Sequence, residues 1–181
     1  MKYIALILLV WFSNNQTSQD IYVCKNAKIN LFSSAPLEDI DATSNSGTSV
    51  FNASTGDLAF SLPIRSLQFQ KSLMQQHFNE NYMESDKFPN ASFKGKVQEK
   101  IDVQKDGSYP VNVTGVFEVH GVKQNRTIKG TINISNGAVS LASAFTVACK
   151  DHQIEIPKLV FQKIAETIQV KVAANYTAYK K

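Results

Sequence analysis

The 181-residue sequence predicts an all-β fold of antiparallel strands in one domain, and three observations predict it. Apolar and polar residues alternate with a period of two through most of the chain, the mark of strands with one buried face. Residues with turn chemistry recur between those runs. The runs are short and closely spaced, as in sandwiches and barrels, and few apolar edges stand unprotected, which closure into a barrel would explain. The length suits a single domain with a sizeable core.

The first element is not part of that fold. Lys2 precedes a continuous apolar run from Ile4 to Phe12, and the polar segment Ser13 to Gln19 follows. A charged start, an apolar centre and a polar cleavage zone predict a signal peptide over residues 1–18, with residues 19–181 as the mature domain. The run is too short for a bilayer core, which needs about 20 residues. Ile21, Tyr22 and Val23 offer no small-residue box before Cys24, so no lipid anchor is expected there. The expected location is therefore periplasmic or secreted.

Strands follow in order. Ala27, Ile29 and Leu31 alternate with Lys28 and Asn30. The stretch Ser33 to Ser49 is polar and ambiguous, with Leu37 and Ile40 as its aliphatic anchors. Leu58, Phe60, Leu62 and Ile64 form the next run, and Pro63 in it belongs at a bulge or an open edge because it cannot donate to a ladder. Val111, Val113, Phe117 and Val119 alternate with Asn112, Thr114 and Glu118; Ile128, Ile132 and Ile134 with Thr127, Lys129, Thr131 and Asn133. Val139 to Val147 repeats the pattern, and Ile168, Val170, Val172, Ala174 and Tyr176 share one face of the last strand. Ser46-Gly47, Thr55-Gly56-Asp57, Asp106-Gly107 and Asn136-Gly137 are hairpin signals, since Gly accepts positive φ cheaply. His120-Gly121-Val122 and Lys129-Gly130 punctuate the second half.

One segment breaks the β pattern. Ser72 is placed to cap a short helix through Phe78, with Gln75 as its capping-box partner. Leu73 and His77 would share a face, as would Met74 and Phe78. Ile156-Pro157 to Ala165 reads as a loop or a second short helix.

Composition narrows function. Hydrophobic residues make up 43% and charged residues 19%, and the net charge of +4 is scattered, without the basic stripe a nucleic-acid partner requires. His77, His120 and His152 lie far apart and lack metal-ligand spacing, and no nucleophile elbow, phosphate loop or dinucleotide fingerprint occurs. Neither metal nor catalytic residues are expected. An enzyme would need His77 or His120 at a pocket with a carboxylate partner. The many Asn-x-Ser/Thr triplets, for example at Asn52, Asn90, Asn112, Asn125, Asn133 and Asn175, are what chance gives in a chain this rich in those residues, and several fall within strands.

Export would permit a disulfide between Cys24 and Cys149, worth roughly 4–5 kcal/mol for so long a loop. Strand parity opposes it. Cys149 continues the apolar face of Val139, Leu141, Phe145 and Val147, whereas Cys24 alternates with Lys28 and Asn30 and should face outward. A bulge would undo that reading, so a bridge and two free thiols both stand.

The stretch His77 to Phe93 resembles the signature of the YceI-like family. His77-Phe78 corresponds to its His-Leu pair, Tyr82-Met83-Glu84 to its Phe-Phe-Asp-type turn, and Phe88-Pro89 with Phe93 to its Tyr-Pro and inward Phe. Gly115-Val116-Phe117-Glu118-Val119-His120-Gly121-Val122 is similar to the family's Gly-x-Leu-Thr-Ile-His-Gly-Val strand and turn. Near the family's late Arg-Lys-Asp-Phe-Gly-like segment stands Cys149-Lys150-Asp151-His152-Gln153, without the arginine or the glycine. The resemblance implies an extended, eight-stranded, lipocalin-like antiparallel barrel with one or two short helical insertions. It implies an apolar cavity for an isoprenoid, a fatty acid or a related amphiphile, and no other cofactor. Barrels of eight strands are either filled by side chains or hold one small ligand; a filled structural or interaction domain of the cell envelope is the alternative. A homodimer is compatible with either. The cavity candidates are Phe60, Leu62, Ile64, Phe69, Leu73, Met74, Phe78, Tyr82, Met83, Phe93, Phe117 and Phe145, an aromatic and methionine-rich set suited to an alkyl chain. His77, Arg65 and Tyr82 are the head-group candidates.

Overall fold

A computed structural model of the chain describes residues 21–34, 39–155 and 166–179. The predicted signal peptide, Leu37 and the interruption at 156–165 lie outside the described residues. Nine strands form: β1 Ile21–Ser33, β2 Ile40–Asn52, β3 Asp57–Pro63, β4 Gln68–Phe69, β5 Asn90–Val97, β6 Gly107–Val119, β7 Val122–Ser135, β8 Ala138–Ala148 and β9 Thr167–Ala178. All pairings are antiparallel, in the order β1-β9-β8-β7-β6-β5-β3-β2, and β1 pairs with β2 to close the ring. This is the expected eight-stranded barrel, with the two-residue β4 laid against the upper end of β2.

The barrel has two unlike ends. At the lower end lie the hairpins β2–β3 and β7–β8 and the outer ends of β1 and β9. Asn136-Gly137 there, and His120-Gly121 at the other end, each take positive φ at both residues, the two-residue turn whose twist matches the flanking strands. The upper end carries the β1–β2 and β8–β9 connections and an insertion between Pro63 and Asn90. That insertion holds a 3-10 turn (Ile64–Ser66), β4, the helix α1 (Ser72–His77) and a π turn (Phe78–Tyr82). Helix α1 falls where the sequence predicts it, but Lys71, and not Ser72, occupies the cap position, and its side chain does not cap the helix. Gln75 Oε1 instead accepts from the Phe69 N–H at 3.3 Å.

Several turn signals resolve differently. Gly47 lies within β2, where an added Cβ would strike the Ile29 side chain; the residue is needed for close approach and not for a turn. Lys129-Gly130 lies within β7. Asp106 accepts from the Asn136 N–H through both carboxylate oxygens, at 3.0 and 3.1 Å, so it braces the neighbouring hairpin and makes no two-residue turn of its own. Cys24 is buried, contrary to the outward expectation. Register shifts between Cys24 and Ala27, and again between Ala27 and Ile29, break the parity and turn Cys24, Ala27 and Ile29 all inward. Cys24 and Cys149 are nonetheless both free thiols. Val23 pairs with Thr177 and Ala148 with Thr167, so the cysteines sit at opposite ends of β9. Ten residues of strand, about 33 Å, separate those levels, whereas a disulfide needs Cα atoms within about 7 Å.

The lower half is a packed core. Phe51 meets both Tyr22 and Tyr176 with ring centroids 6.4 Å apart, and Ile132, Ile134 and Val139 belong to the same core. Ser49 Oγ donates to the Ala59 carbonyl at 2.9 Å, which leaves it to accept from the Tyr176 hydroxyl at 2.8 Å. Burial pushes the Tyr176 phenol up from 10.0 to about 12. The folded protein thus keeps a proton that the unfolded chain releases above about pH 10, and stability falls as pH rises from there through the folded value. Losing a pKa gap of this size costs about 2–3 kcal/mol. Urea midpoints measured between about pH 8 and 12 should show that decline in the wild type and not in Tyr176→Phe; equal declines would rule Tyr176 out as its source.

Candidate functional site

The upper half of the barrel is hollow. A cavity of about 730 Å³ runs from the level of Leu58, Val113 and Ile128 up to the inserted helix. Pockets for small molecules span roughly 300–1,000 Å³, so this volume accommodates a sizeable apolar ligand. Its wall comes from the inward positions of the strands, and its cover from the insertion.

Sequence periodicity explains the wall. Phe60 and Leu62 on β3, Phe93 on β5, Phe117 on β6 and Phe145 on β8 all project inward because each sits on the apolar phase of its strand. Ile64 follows in the 3-10 turn. Phe69 on β4 packs at 4.8 Å between ring centroids against Phe78. Leu73, Met74 and Phe78 extend the lining from α1 and the following turn, with Tyr82 and Met83 beyond them. All twelve cavity candidates therefore line one space. Further lining residues come from positions treated only as strand residues in the sequence, among them Leu31, Val119 and Val170. Ile40, the anchor of the ambiguous polar stretch, lines it too.

Polar groups on the lining are few. Of the head-group candidates, His77 and Tyr82 reach the cavity, and partial burial raises the Tyr82 phenol so that it stays neutral. Arg65 does not reach it. The β3 alternation ends at Pro63, and the 3-10 turn carries Arg65 to the surface, where it bonds Asp86 at 2.5 Å. Cys149 lines the upper wall, and burial holds its thiol up in the neutral form.

His120 has the carboxylate partner that an enzyme reading asks for, but it is not on the cavity. Its Nε2 lies 3.0 Å from Glu84 Oε2 and its Nδ1 3.1 Å from the His152 carbonyl. His152 Nδ1 in turn lies 3.3 Å from the Val122 carbonyl. The chain clamps together the insertion, the β6–β7 turn and the 3-10 turn Cys149–His152. His77, which does line the cavity, has no carboxylate partner among the described residues. No group of three metal-ligating side chains occurs among them either.

His152 stands where the resembled segment has phenylalanine, and it behaves as one. It is 1% exposed and meets the Phe117 ring edge-on at 5.4 Å. Burial lowers its pKa and keeps the imidazole neutral. Gln153 stands where the resembled segment has glycine and adopts a left-handed backbone, φ 55°.

One stretch of the wall is closed by side chains in place of a backbone ladder. β7 pairs with β6 along its whole length, and β8 with β9 along its whole length. β7 and β8 pair only from Gly130/Ser143 down to Ser135/Ala138. Above that level they diverge, and side chains close the seam. Arg126 donates to the Thr146 carbonyl at 2.7 Å with its guanidinium 5.7 and 5.6 Å from the Phe117 and Phe145 rings. Ser143 Oγ donates to the Lys129 carbonyl at 2.7 Å, and Gln124 Nε2 to the Asp151 carbonyl at 2.9 Å. Arg126 and Gly130 are absent from the sequence-derived site because nothing in the period-two pattern marks where two strands part.

A family model for the YceI-like domain matches residues 26–176. Among solved structures, a polyisoprenoid binding domain from Saccharophagus degradans, implicated in plant cell wall breakdown, is similar with a TM-score of 0.75 at 12% identity. That match covers 88% of this chain and 99% of the other. BcnA from Burkholderia cenocepacia gives a TM-score of 0.69 at 14% identity, covering 83% and 96%. The Campylobacter jejuni YceI protein gives 0.56 at 16% identity, covering 75% and 81%. No curated protein sequence matches the chain.

Proposed function

The chain belongs to the YceI-like family, and from that premise we propose that it is an exported binding protein holding the apolar chain of an isoprenoid, a fatty acid or a related amphiphile. The observation that carries this reading is the contrast between the two halves of the barrel. A protein built only for structure would fill both halves, because unfilled space forfeits dispersion contacts. Here the upper half keeps about 730 Å³ lined by phenylalanine, leucine, isoleucine and methionine. Burying an alkyl chain there contributes about 0.8 kcal/mol per methylene, before association costs. The polyisoprenoid named for the similar Saccharophagus domain is a ligand of that chemistry.

The reading is binding and not catalysis, since the one histidine with a carboxylate partner among the described residues is tied into the wall by both ring nitrogens. Export rests on Lys2 and the apolar run Ile4 to Phe12. Transport, storage or a part in envelope stress would all use the same cavity.

Native mass spectrometry of the mature protein, followed by solvent extraction, tests the proposal. A stoichiometric long-chain adduct is expected, and the extract identifies its class. A clean apo mass with no uptake of added isoprenoids or fatty acids would refute it and leave a structural domain with an empty upper half.

A further inference from the structure

At its floor the cavity shares a stretch of wall with the outer face. Lys129, Gly130, Ser143 and Val172 line it from within, and the same four residues line a shallow depression on the outer face, together with Thr131, Ala142, Ala144 and Lys171. This is the apex of the seam, where the β7–β8 ladder begins. Gly130 contributes no side chain and Ser143 a small one, so little side-chain bulk separates the two spaces at that point.

Outside, the register sets up a shelf. Gly130 pairs with Ser143, and Ser143 with Val172, so Lys129 on β7 and Lys171 on β9 flank β8 at nearly one level. Two strand spacings, about 10 Å, separate their backbones. Between them β8 presents only the methyl groups of Ala142 and Ala144. Both lysines are exposed, and neither has a carboxylate partner among the described residues. Two unpaired ammonium groups over an alanine floor, against a stretch of wall shared with an apolar cavity, match a molecule with an anionic head and a long chain.

Building on the lipid-binding reading, we infer that the apex of the β7–β8 seam is a side portal, where Lys129 and Lys171 hold the carboxylate or phosphate head of an amphiphile whose chain lies in the barrel. The head thus sits at the cavity floor and not at the upper mouth beside His77.

The test compares charged and neutral partners of equal chain length. Equilibrium binding to the delipidated mature protein would be measured for palmitate against hexadecanol, and for farnesyl phosphate against farnesol. The wild type should prefer the charged member of at least one pair by about tenfold, the worth of one charge-assisted contact. A preference in one pair alone distinguishes a carboxylate head from a phosphate head. In Lys129→Gln/Lys171→Gln the preference should vanish while the affinity for the alcohols holds. A preference that survives in that variant, or that only Lys71→Gln/His77→Gln removes, overturns the portal. Binding of alcohol and acid alike in the wild type also overturns it, yet leaves the cavity reading standing. Binding of none of the four overturns both.

Discussion

Gly115→Ala should destabilise the barrel by about 3 kcal/mol or more, toward the severe end for a single methyl group. Gly115 on β6 faces Gly95 on β5 in register. A Cβ at Gly115 would stand less than 3.0 Å from the Lys94 carbonyl and from the Gly95 Cα, which are backbone atoms with no rotamer to yield. Phe93 lies just as close to the position a Cβ would take on Gly95, so its ring covers the glycine face on the inside. Paired glycines let two wall strands approach and bend, and the aromatic ring replaces the packing they forgo. Methyl insertion therefore pushes the strands apart at the level where the cavity begins. For a domain of this size about 3 kcal/mol corresponds to a fall in Tm of roughly 6–12 °C. Thermal unfolding followed by circular dichroism measures it, and a shift of under about 2 °C would show that the strands move apart at little cost.

Phe60→Asp should abolish binding of a long-chain ligand while leaving the barrel folded. Phe60 lines the cavity and is only partly buried, so its loss removes wall area without opening the lower core. A carboxylate there must either keep water in the cavity or be desolvated by the incoming chain, and each alternative costs several kcal/mol. Affinity should drop by at least about a hundredfold, an energy of roughly 2.7 kcal/mol. Equilibrium binding of palmitate checks the loss, with the far-ultraviolet spectrum as the control for folding. A folded variant with full affinity would place the ligand elsewhere.

How much of this the sequence discloses depends on which face a residue serves. β3, β6, β7, β8 and β9 are legible because their inward faces meet a core or cavity that accepts only apolar groups. β2 is not. Apart from Phe51, its buried positions, Ala42, Ser44, Gly47 and Ser49, are small because they close on neighbours at short range. Ser44 Oγ meets Ser66 Oγ at 2.7 Å and Ser49 meets Tyr176. Buried hydroxyls that satisfy one another look, in sequence, like a surface loop. The twelve cavity residues were accessible through alternation and the family signature together. Cys24 was misplaced because a bulge leaves no compositional trace, and Arg65 because alternation carries no notice of the turn that ends it. The seam was invisible for a related reason, since pairing partners are a property of two strands and not of either sequence run.

The division of the barrel into a filled and a hollow half has a consequence for how such a sequence can drift. Residues such as Ile132 and Phe51 are surrounded on every side, so each substitution there must be answered by a neighbour. Residues such as Leu73 and Met74 border empty space and can change shape with no partner to compensate. Selection for a new ligand can therefore act on one end of the molecule while the other goes on specifying the fold. That arrangement accords with the solved relatives, which keep the barrel at only 12–16% identity.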